Sequence, residues 1–218
     1  MWATSKGADD TTQKQMMTSL GSGKSKIFRV QREVHFSDDI TYESVHELVH
    51  LLKEIEQETS RNLITVKKAV VLTETEKETI DLVITPKPIK LYLTTHGGSV
   101  YAALRAVDII QNLQVPVHTY VSGYVASAGT LLSMAGAKRF ITPHSFMLIH
   151  ELRSSFWGKY SDAREQVENM DKLMDLIIKF VSDKSKIPVD TLKETLSRDR
   201  NWGADECIEK GVVDEIIK

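Results

Sequence analysis

Cysteine and long apolar runs are almost absent from this sequence, and each absence excludes a class of protein. Cys207 is the only cysteine among 218 residues, so no disulfide can form within the chain. Such usage is typical of reducing compartments, and we expect a cytoplasmic protein. No apolar run approaches the roughly 20 residues that span a bilayer, and residues 1–27 lack the apolar segment of a secretory signal. We therefore expect no association with a membrane.

An excess of charge of one sign is also missing. The chain carries 28 Lys and Arg against 30 Asp and Glu, a formal net charge of −2, so no strong field points to nucleic acid or to an anionic membrane. Its 41% hydrophobic content is sufficient for one globular domain with a core. Residues 1–27 are rich in Ser, Thr, Lys and Gly, and we predict a flexible arm there, followed by a single domain over 28–218.

Segments typical of strands and of helices alternate along the chain. Apolar runs and period-two patterns predict strands over 28–36, 89–95, 115–122, 138–143 and 145–150. Apolar residues spaced by three or four predict helices over 37–58, 99–113, 128–137, 161–182, 188–196 and 203–211. Two further apolar runs, 63–72 and 78–85, flank a polar pentad and are predicted to pair as a hairpin. The alternation favours an α/β fold with a parallel sheet and crossover helices.

Three predicted strand ends carry groups that could do chemistry, and such ends collect at one edge of a parallel sheet. Ser127 lies between two alanines in "SGYVASAGT", after a strand and before a helix. Either it fills a tightly packed turn, or the turn exposes its hydroxyl as a nucleophile. Gly97–Gly98 ends a second strand and could supply an oxyanion N–H, and His150 ends a third and could act as a base. Spacing alone leaves the structural and the catalytic interpretation open.

A second motif competes for the functional assignment. His46-Glu47-Leu48-Val49-His50 matches the H-E-x-x-H helix of zinc metalloproteases, in which both histidines bind the metal and the glutamate is the base. The alternative is an amphipathic helix whose histidines flank its apolar stripe. No histidine follows between His50 and His96 to complete a zinc site. We therefore expect no metal there.

Two segments, taken in order, resemble one protease family. Residues 91–151 run strand, Gly-Gly, helix, strand, the turn "GYVASAG" and a strand ending in "IH". Residues 197–216, "SRDRNWGADECIEKGVVDEI", are similar to the C-terminal part of the sequence pattern of the same family. Together they resemble the ClpP family of self-compartmentalising serine proteases. The resemblance implies a ClpP/crotonase-like α/β fold with layers of parallel sheet and a protruding handle helix at 161–182.

The resemblance also implies roles for individual residues. Ser127 would be the nucleophile, His150 the general base and Asp199 the acid that orients the histidine. The N–H groups of Gly98 and Ala128 would form the oxyanion hole. An extended peptide substrate would contact Gly97, Gly123, Tyr124, Val125, Glu151 and Leu152. Cleavage would pass through an acyl-enzyme, without a metal or organic cofactor.

An assembly is implied as well. Members of the family form homo-oligomeric heptamer rings, and two rings stack into a tetradecamer that encloses the active sites. An AAA+ unfoldase of the ClpX or ClpA type feeds unfolded chains to it, which makes the peptidase ATP-dependent. This sequence departs from the pattern at residues 57–88, which resemble an insertion containing the predicted hairpin, and at His96, where proline is usual. Ser197 replaces an acidic residue, so Arg198 lacks its usual partner for a contact between rings.

Two other functions fit the same fold. One is a protease that trims capsid or scaffold proteins in a phage-like setting, which the unfamiliar N-terminal residues and the insertion would suit. The other is an inactive ring subunit that contributes shape but no chemistry. The presence of all three triad residues, Ser127, His150 and Asp199, favours an active serine endopeptidase.

Overall fold

The computed structural model describes the backbone of residues 26–71 and 86–217 and the side chains of residues 26–61 and 86–217. Within these ranges the strands are β1 (Ile27–Val30), β2 (Glu33–Phe36), β3 (Ile89–Thr95), β4 (Val117–Ala126), β5 (Lys138–Ile141), β6 (Phe146–Leu148), β7 (Asn201–Gly203) and β8 (Glu215–Ile216). The helices are α1 (Tyr42–Val71), α2 (Val100–Asn112), α3 (Ala128–Met134), α4 (Tyr160–Asp183), α5 (Val189–Leu196) and α6 (Ala204–Lys210). The chain therefore has the predicted α/β character.

The strands form one mixed sheet in the order β1-β2-β3-β4-β5-β8. All neighbours from β2 to β8 along this path are parallel, and β1 lies antiparallel on β2. Parallel neighbours need crossover connections, and α1, α2 and α3 supply them between successive strands. The carboxyl ends of β3 and β4 consequently meet at one edge of the sheet.

Strand β4 changes partner along its length. Its first half, to Val121, pairs with β5, and its second half, Tyr124 to Ala126, pairs with β6. The change falls at Gly123, whose φ of +83° is readily adopted only by glycine. Strand β6 then pairs antiparallel with β7, which brings residues from the C-terminal part of the chain beside β4.

Side chains alternate between a helix-covered face and a second face of the sheet. In β3 the buried Ile89, Leu91 and Leu93 face the core, and the residues between them lie on the opposite face. The buried apolar residues of the described part of the chain form one hydrophobic cluster. Stacked rings cross the opposite face, with neighbouring centroids 4.6–4.8 Å apart, and they belong to Phe28, His35, Tyr92, Tyr120 and Phe140.

Most predicted elements are confirmed, and two predictions are wrong. The single strand expected over 28–36 is two antiparallel strands, because Gln31 at a φ of +54° reverses the chain. The first arm of the hairpin expected at 63–72 is helical as far as Val71, since α1 continues through it. The second arm, 78–85, lies outside the described residues, as does most of the expected arm at 1–27. Ile27, the last residue of that arm, starts β1 and is buried.

The long helix expected at 161–182 is α4. Its buried residues, Ile177, Ile178 and Val181, all lie in its C-terminal third. The preceding turns are exposed or half-buried. No helix in the described part of the chain is long and apolar enough to cross a membrane.

Candidate active site

Ser127 occupies a strained turn between β4 and α3. Its φ of 56° and ψ of −129° are unusual for a residue with a Cβ atom, and such conformations cost about 1–3 kcal/mol each. The surrounding bonds hold the turn in place. The Ser127 N–H donates to Leu148 O of β6 at 2.8 Å, and the Ser127 carbonyl accepts from Thr130 N at 3.0 Å and Oγ1 at 2.7 Å. The turn presents the serine at the start of a helix, where free N–H groups point outward.

Glycines on both sides of the turn leave no room for side chains. A Cβ atom on Gly97 would lie 2.6 Å from Ser127 Cβ, and one on Gly129 would lie 2.5 Å from Thr95 Cγ2. Both approaches are far inside van der Waals contact. The small residues around Ser127 are therefore required by the close packing of β3 against the turn, whatever chemistry the serine performs.

The Gly97–Gly98 pair is fixed by the segment before α1. Ile40 N donates to Gly97 O at 2.7 Å, and Ser99 N donates to Ile40 O at 2.8 Å. Positive φ angles of 102° and 143° at the two glycines turn this backbone toward Ser127. Ala128 N lies 3.2 Å from the position that a Gly97 Cβ atom would occupy. The backbones of Gly97 and Ala128 thus lie close together beside Ser127.

His150 follows the end of β6 and shares a cavity with Ser127. Because Ala126 pairs with Leu148, the parallel strands β4 and β6 carry the two residues to the same edge of the sheet. The cavity has a volume of about 320 Å³, and its lining includes Ser127, His150, Gly98 and Ala128. The structure therefore brings together four of the five residues predicted for the triad and the oxyanion hole.

Asp199, the fifth residue, lies nearby but with a different partner. In the antiparallel pairing of β6 and β7, Leu148 lies opposite Asn201. If this register continued for two more residues, Asp199 would lie opposite His150. Its carboxylate nevertheless forms an ion pair with Arg153. His150 Nδ1 is buried and has no hydrogen-bond partner among the described residues. The Asp–His contact of a triad is absent from this arrangement of the described residues.

Of the six predicted cleft residues, two line this cavity and four do not. Glu151 and Leu152 line it beside His150. Gly123 N donates to Ser145 Oγ at 2.7 Å, and Tyr124 Oη donates to Asn201 Oδ1 at 3.1 Å. Val125 is fully buried, backbone included, so in this conformation it offers no surface to a peptide.

Besides Thr130, two polar residues of the cavity were not assigned to the site from the sequence. His96 lines it, and its ring lies 5.4 Å from the ring of Tyr124, centroid to centroid. Arg153 lines it three residues after His150. His96 could have been found because it follows β3 directly at the glycine pair. Nothing in the sequence around Arg153 marks it, since its partner is 46 residues away along the chain.

The H-E-x-x-H motif lies on α1, and its three polar side chains, His46, Glu47 and His50, are all exposed. The residues between them, Leu48 and Val49, are buried in the core. His50 Nε2 lies 3.4 Å from Glu54 Oε1, one turn along the same helix. Among the described residues no group of three His, Cys, Asp or Glu side chains could hold a metal ion. The described geometry gives these histidines no third ligand.

Arg198, predicted to contact a neighbouring ring, is exposed at the end of α5. Its Nη2 lies 2.9 Å from Glu194 Oε1, one turn earlier in the chain. Ser197 Oγ donates to Glu194 O at 2.8 Å. Glu194 thus supplies, within the chain, a carboxylate for the arginine.

Comparison with known proteins places this geometry in a family. The family model for Clp protease matches residues 31–218. The ATP-dependent Clp protease proteolytic subunit 1 of Prochlorococcus marinus (strain NATL2A) is 35% identical over 133 residues, which are 60% of this chain and 68% of that protein. The ATP-dependent Clp protease proteolytic subunit of Deinococcus radiodurans is 30% identical over 131 residues, 59% of this chain and 64% of that protein. The matched part of the chain thus spans about two thirds of these relatives. The chain belongs to the Clp protease family.

Proposed function

We propose that this protein is a serine endopeptidase of the ClpP type. The observation that carries the proposal is the shared cavity, in which Ser127 sits on a strained turn and His150, Gly98 and Ala128 belong to the same lining. A hydroxyl held at the start of a helix beside an imidazole is the arrangement that nucleophilic acyl transfer needs. Family membership gives independent support for hydrolase chemistry.

In the proposed reaction Ser127 Oγ attacks the carbonyl carbon of a peptide bond, and His150 accepts the hydroxyl proton. The negative charge that develops on the carbonyl oxygen is stabilised by the N–H groups of Gly98 and Ala128. His150 then donates its proton to the leaving amine as the C–N bond breaks, which leaves an ester on Ser127. Water, deprotonated by His150, hydrolyses this acyl-enzyme and restores the serine.

Asp199 takes part after its carboxylate has moved from Arg153 to His150. There it would accept a hydrogen bond from the imidazole, hold the productive tautomer and stabilise the imidazolium. Support for this step comes from the pairing of β6 with β7, which brings the segment before Asn201 beside the end of β6. Buried polar groups are normally hydrogen-bonded, so the unpartnered Nδ1–H is a natural donor to this carboxylate.

We further propose that the active sites are enclosed in a homo-oligomer, a heptamer or a tetradecamer, that works with an AAA+ unfoldase. The names of the relatives, which describe proteolytic subunits of an ATP-dependent protease, support subunit assembly and ATP-dependent delivery of substrate. The exposed turns of α4 and the exposed Arg198 are the surfaces we expect at the contact between rings.

Hydrolysis of a fluorogenic peptide, measured with the particle mass from native mass spectrometry, tests the proposal. Wild type should turn the peptide over as a ring-sized particle, and Ser127→Ala and His150→Ala should form the same particle without activity. Asp199→Asn should assemble but lose about 10⁴-fold in turnover, because the imidazole loses its orienting partner. An assembled wild type without turnover would instead support an inactive ring subunit.

A further inference from the structure

We propose that Arg153 is a carboxylate-sensing latch, which holds Asp199 away from His150 until a carboxylate of the substrate takes its place. The inference rests on the proposed function, since it concerns when that active site becomes complete. It assigns a positioning role to Arg153 and a preferred substrate class, peptides with an acidic residue near the cleaved bond.

The first support is the competition for one carboxylate. Asp199 forms an ion pair with Arg153, while His150 Nδ1 is buried without a partner among the described residues. Glu151 N donates to Leu196 O at 2.9 Å, which ties the segment after His150 to the segment before Asp199. Both possible partners of the carboxylate are therefore attached to the same short piece of backbone. Exchanging them requires the Asp199 carboxylate to pass from the Arg153 guanidinium to the His150 ring.

The second support is that neither arrangement has a large advantage. The Arg153 and Asp199 side chains are 69% and 50% exposed, and exposed ion pairs contribute little. Against this weak attraction stands the cost of leaving a buried ring nitrogen without a hydrogen bond. The two arrangements therefore differ by a few kcal/mol at most, so a modest competing interaction can shift the latch.

The third support is the position of Arg153 in the substrate cleft. It lines the 320 Å³ cavity at Ser127 and also a neighbouring cavity of about 600 Å³ along α4. Arg153 and Lys172 are the charged residues in the described lining of the larger cavity, and both are basic. A peptide carboxylate in this cavity would meet Arg153 and Lys172, with Asp199 on Arg153 and Glu151 in the smaller cavity as the nearby negative charges. By binding Arg153 it would release Asp199 toward His150.

The rate of covalent labelling of Ser127 by a fluorophosphonate tests the latch without a substrate carboxylate. Arg153→Gln should label about two- to fivefold faster than wild type, the range set by a weak exposed ion pair. Arg153→Lys, which keeps the charge but not the planar fork, should fall between them. Lys179→Gln is the matched control, since it breaks an equally exposed pair with Asp183 outside both cavities and should label at the wild-type rate.

A double-mutant cycle and a pair of substrates separate a latch from a general structural effect. In an Asp199→Asn background, Arg153→Gln should give no acceleration, because the carboxylate that it releases is gone. Wild type should cleave a Glu-containing peptide with a higher kcat than its Gln isostere, and Arg153→Gln should remove that preference. An Arg153→Gln protein that labels at or below the wild-type rate, or that keeps the Glu preference, would overturn the latch. A wild type that is never labelled would overturn the proposed function instead.

Discussion

Replacing Gly97 with alanine is expected to displace the serine at the centre of the site. A Cβ atom there would lie 2.6 Å from Ser127 Cβ, about 0.8 Å inside the 3.4 Å at which ordinary van der Waals contact begins. Misplacing a reacting group by about 1 Å costs on the order of 100-fold in rate. We therefore expect the labelling of Ser127 by a fluorophosphonate to slow by about 30- to 100-fold. The positive φ and the overlap together should lower the free energy of unfolding by about 2–4 kcal/mol.

Substitutions at two other glycines distinguish backbone strain from steric overlap. Gly123 has a φ of +83° but an open site, with Thr94 Cγ2 at 4.0 Å, so Gly123→Ala should lower the free energy of unfolding by about 1–2 kcal/mol from backbone strain alone. Gly203 has a φ of −72° and its nearest neighbour at 3.7 Å, so Gly203→Ala should leave stability within about 1 kcal/mol and labelling unchanged. Urea denaturation and labelling time courses provide both quantities. A folded Gly97→Ala protein that labels like wild type would refute the packing argument.

Three further perturbations address other features. Burial raises the pKa of the Cys207 thiol from 9.0 to about 12, so at alkaline pH the folded state keeps a proton that the unfolded state loses. Between pH 8.5 and 10.5 the free energy of unfolding of wild type should therefore fall by about 2 kcal/mol more than that of Cys207→Ala. Equal losses in the two proteins would contradict this. Burial alone would raise the pKa of Asp214, but hydrogen bonds from Arg139 lower it overall, so its stabilisation should be present above pH 3.8 and lost as the pH falls below it. Asp214→Asn should lower the free energy of unfolding by about 1–2 kcal/mol at pH 7. Asp183→Asn, which breaks an exposed ion pair, should lower it by less than about 0.5 kcal/mol. EDTA and His50→Ala should leave peptide turnover unchanged, whereas loss with EDTA and rescue by zinc would point to the H-E-x-x-H motif.

Local sequence signals located the parts of the site that depend on strand ends. Ser127, His150 and the glycine pair each follow an apolar strand, and parallel pairing then brings such ends to one edge. Asp199 has no comparable signal, because it lies between a short helix and a three-residue strand among charged neighbours. Only the resemblance to a family drew attention to it. Its pairing with Arg153 depends on the conformation of two loops, which no local pattern determines.

The two errors in secondary structure have definable causes. Residues 63–72 are rich in valine and isoleucine, which favour strands, but the cost of such residues in a helix is only a few tenths of a kcal/mol each. Leu63, Val66 and Val70 also continue the spacing of three and four that precedes them, and the helical period prevails. The turn at Gln31 has no glycine or asparagine, so the usual signal of a tight hairpin was missing.

The most direct test of the central claim is to identify the residue that a fluorophosphonate modifies in the assembled protein, by mass spectrometry of its peptides. We expect one adduct per subunit, on Ser127. His150→Ala should form the same oligomer without this adduct. Modification of a different residue, or labelling of Ser127 that does not depend on His150, would contradict it.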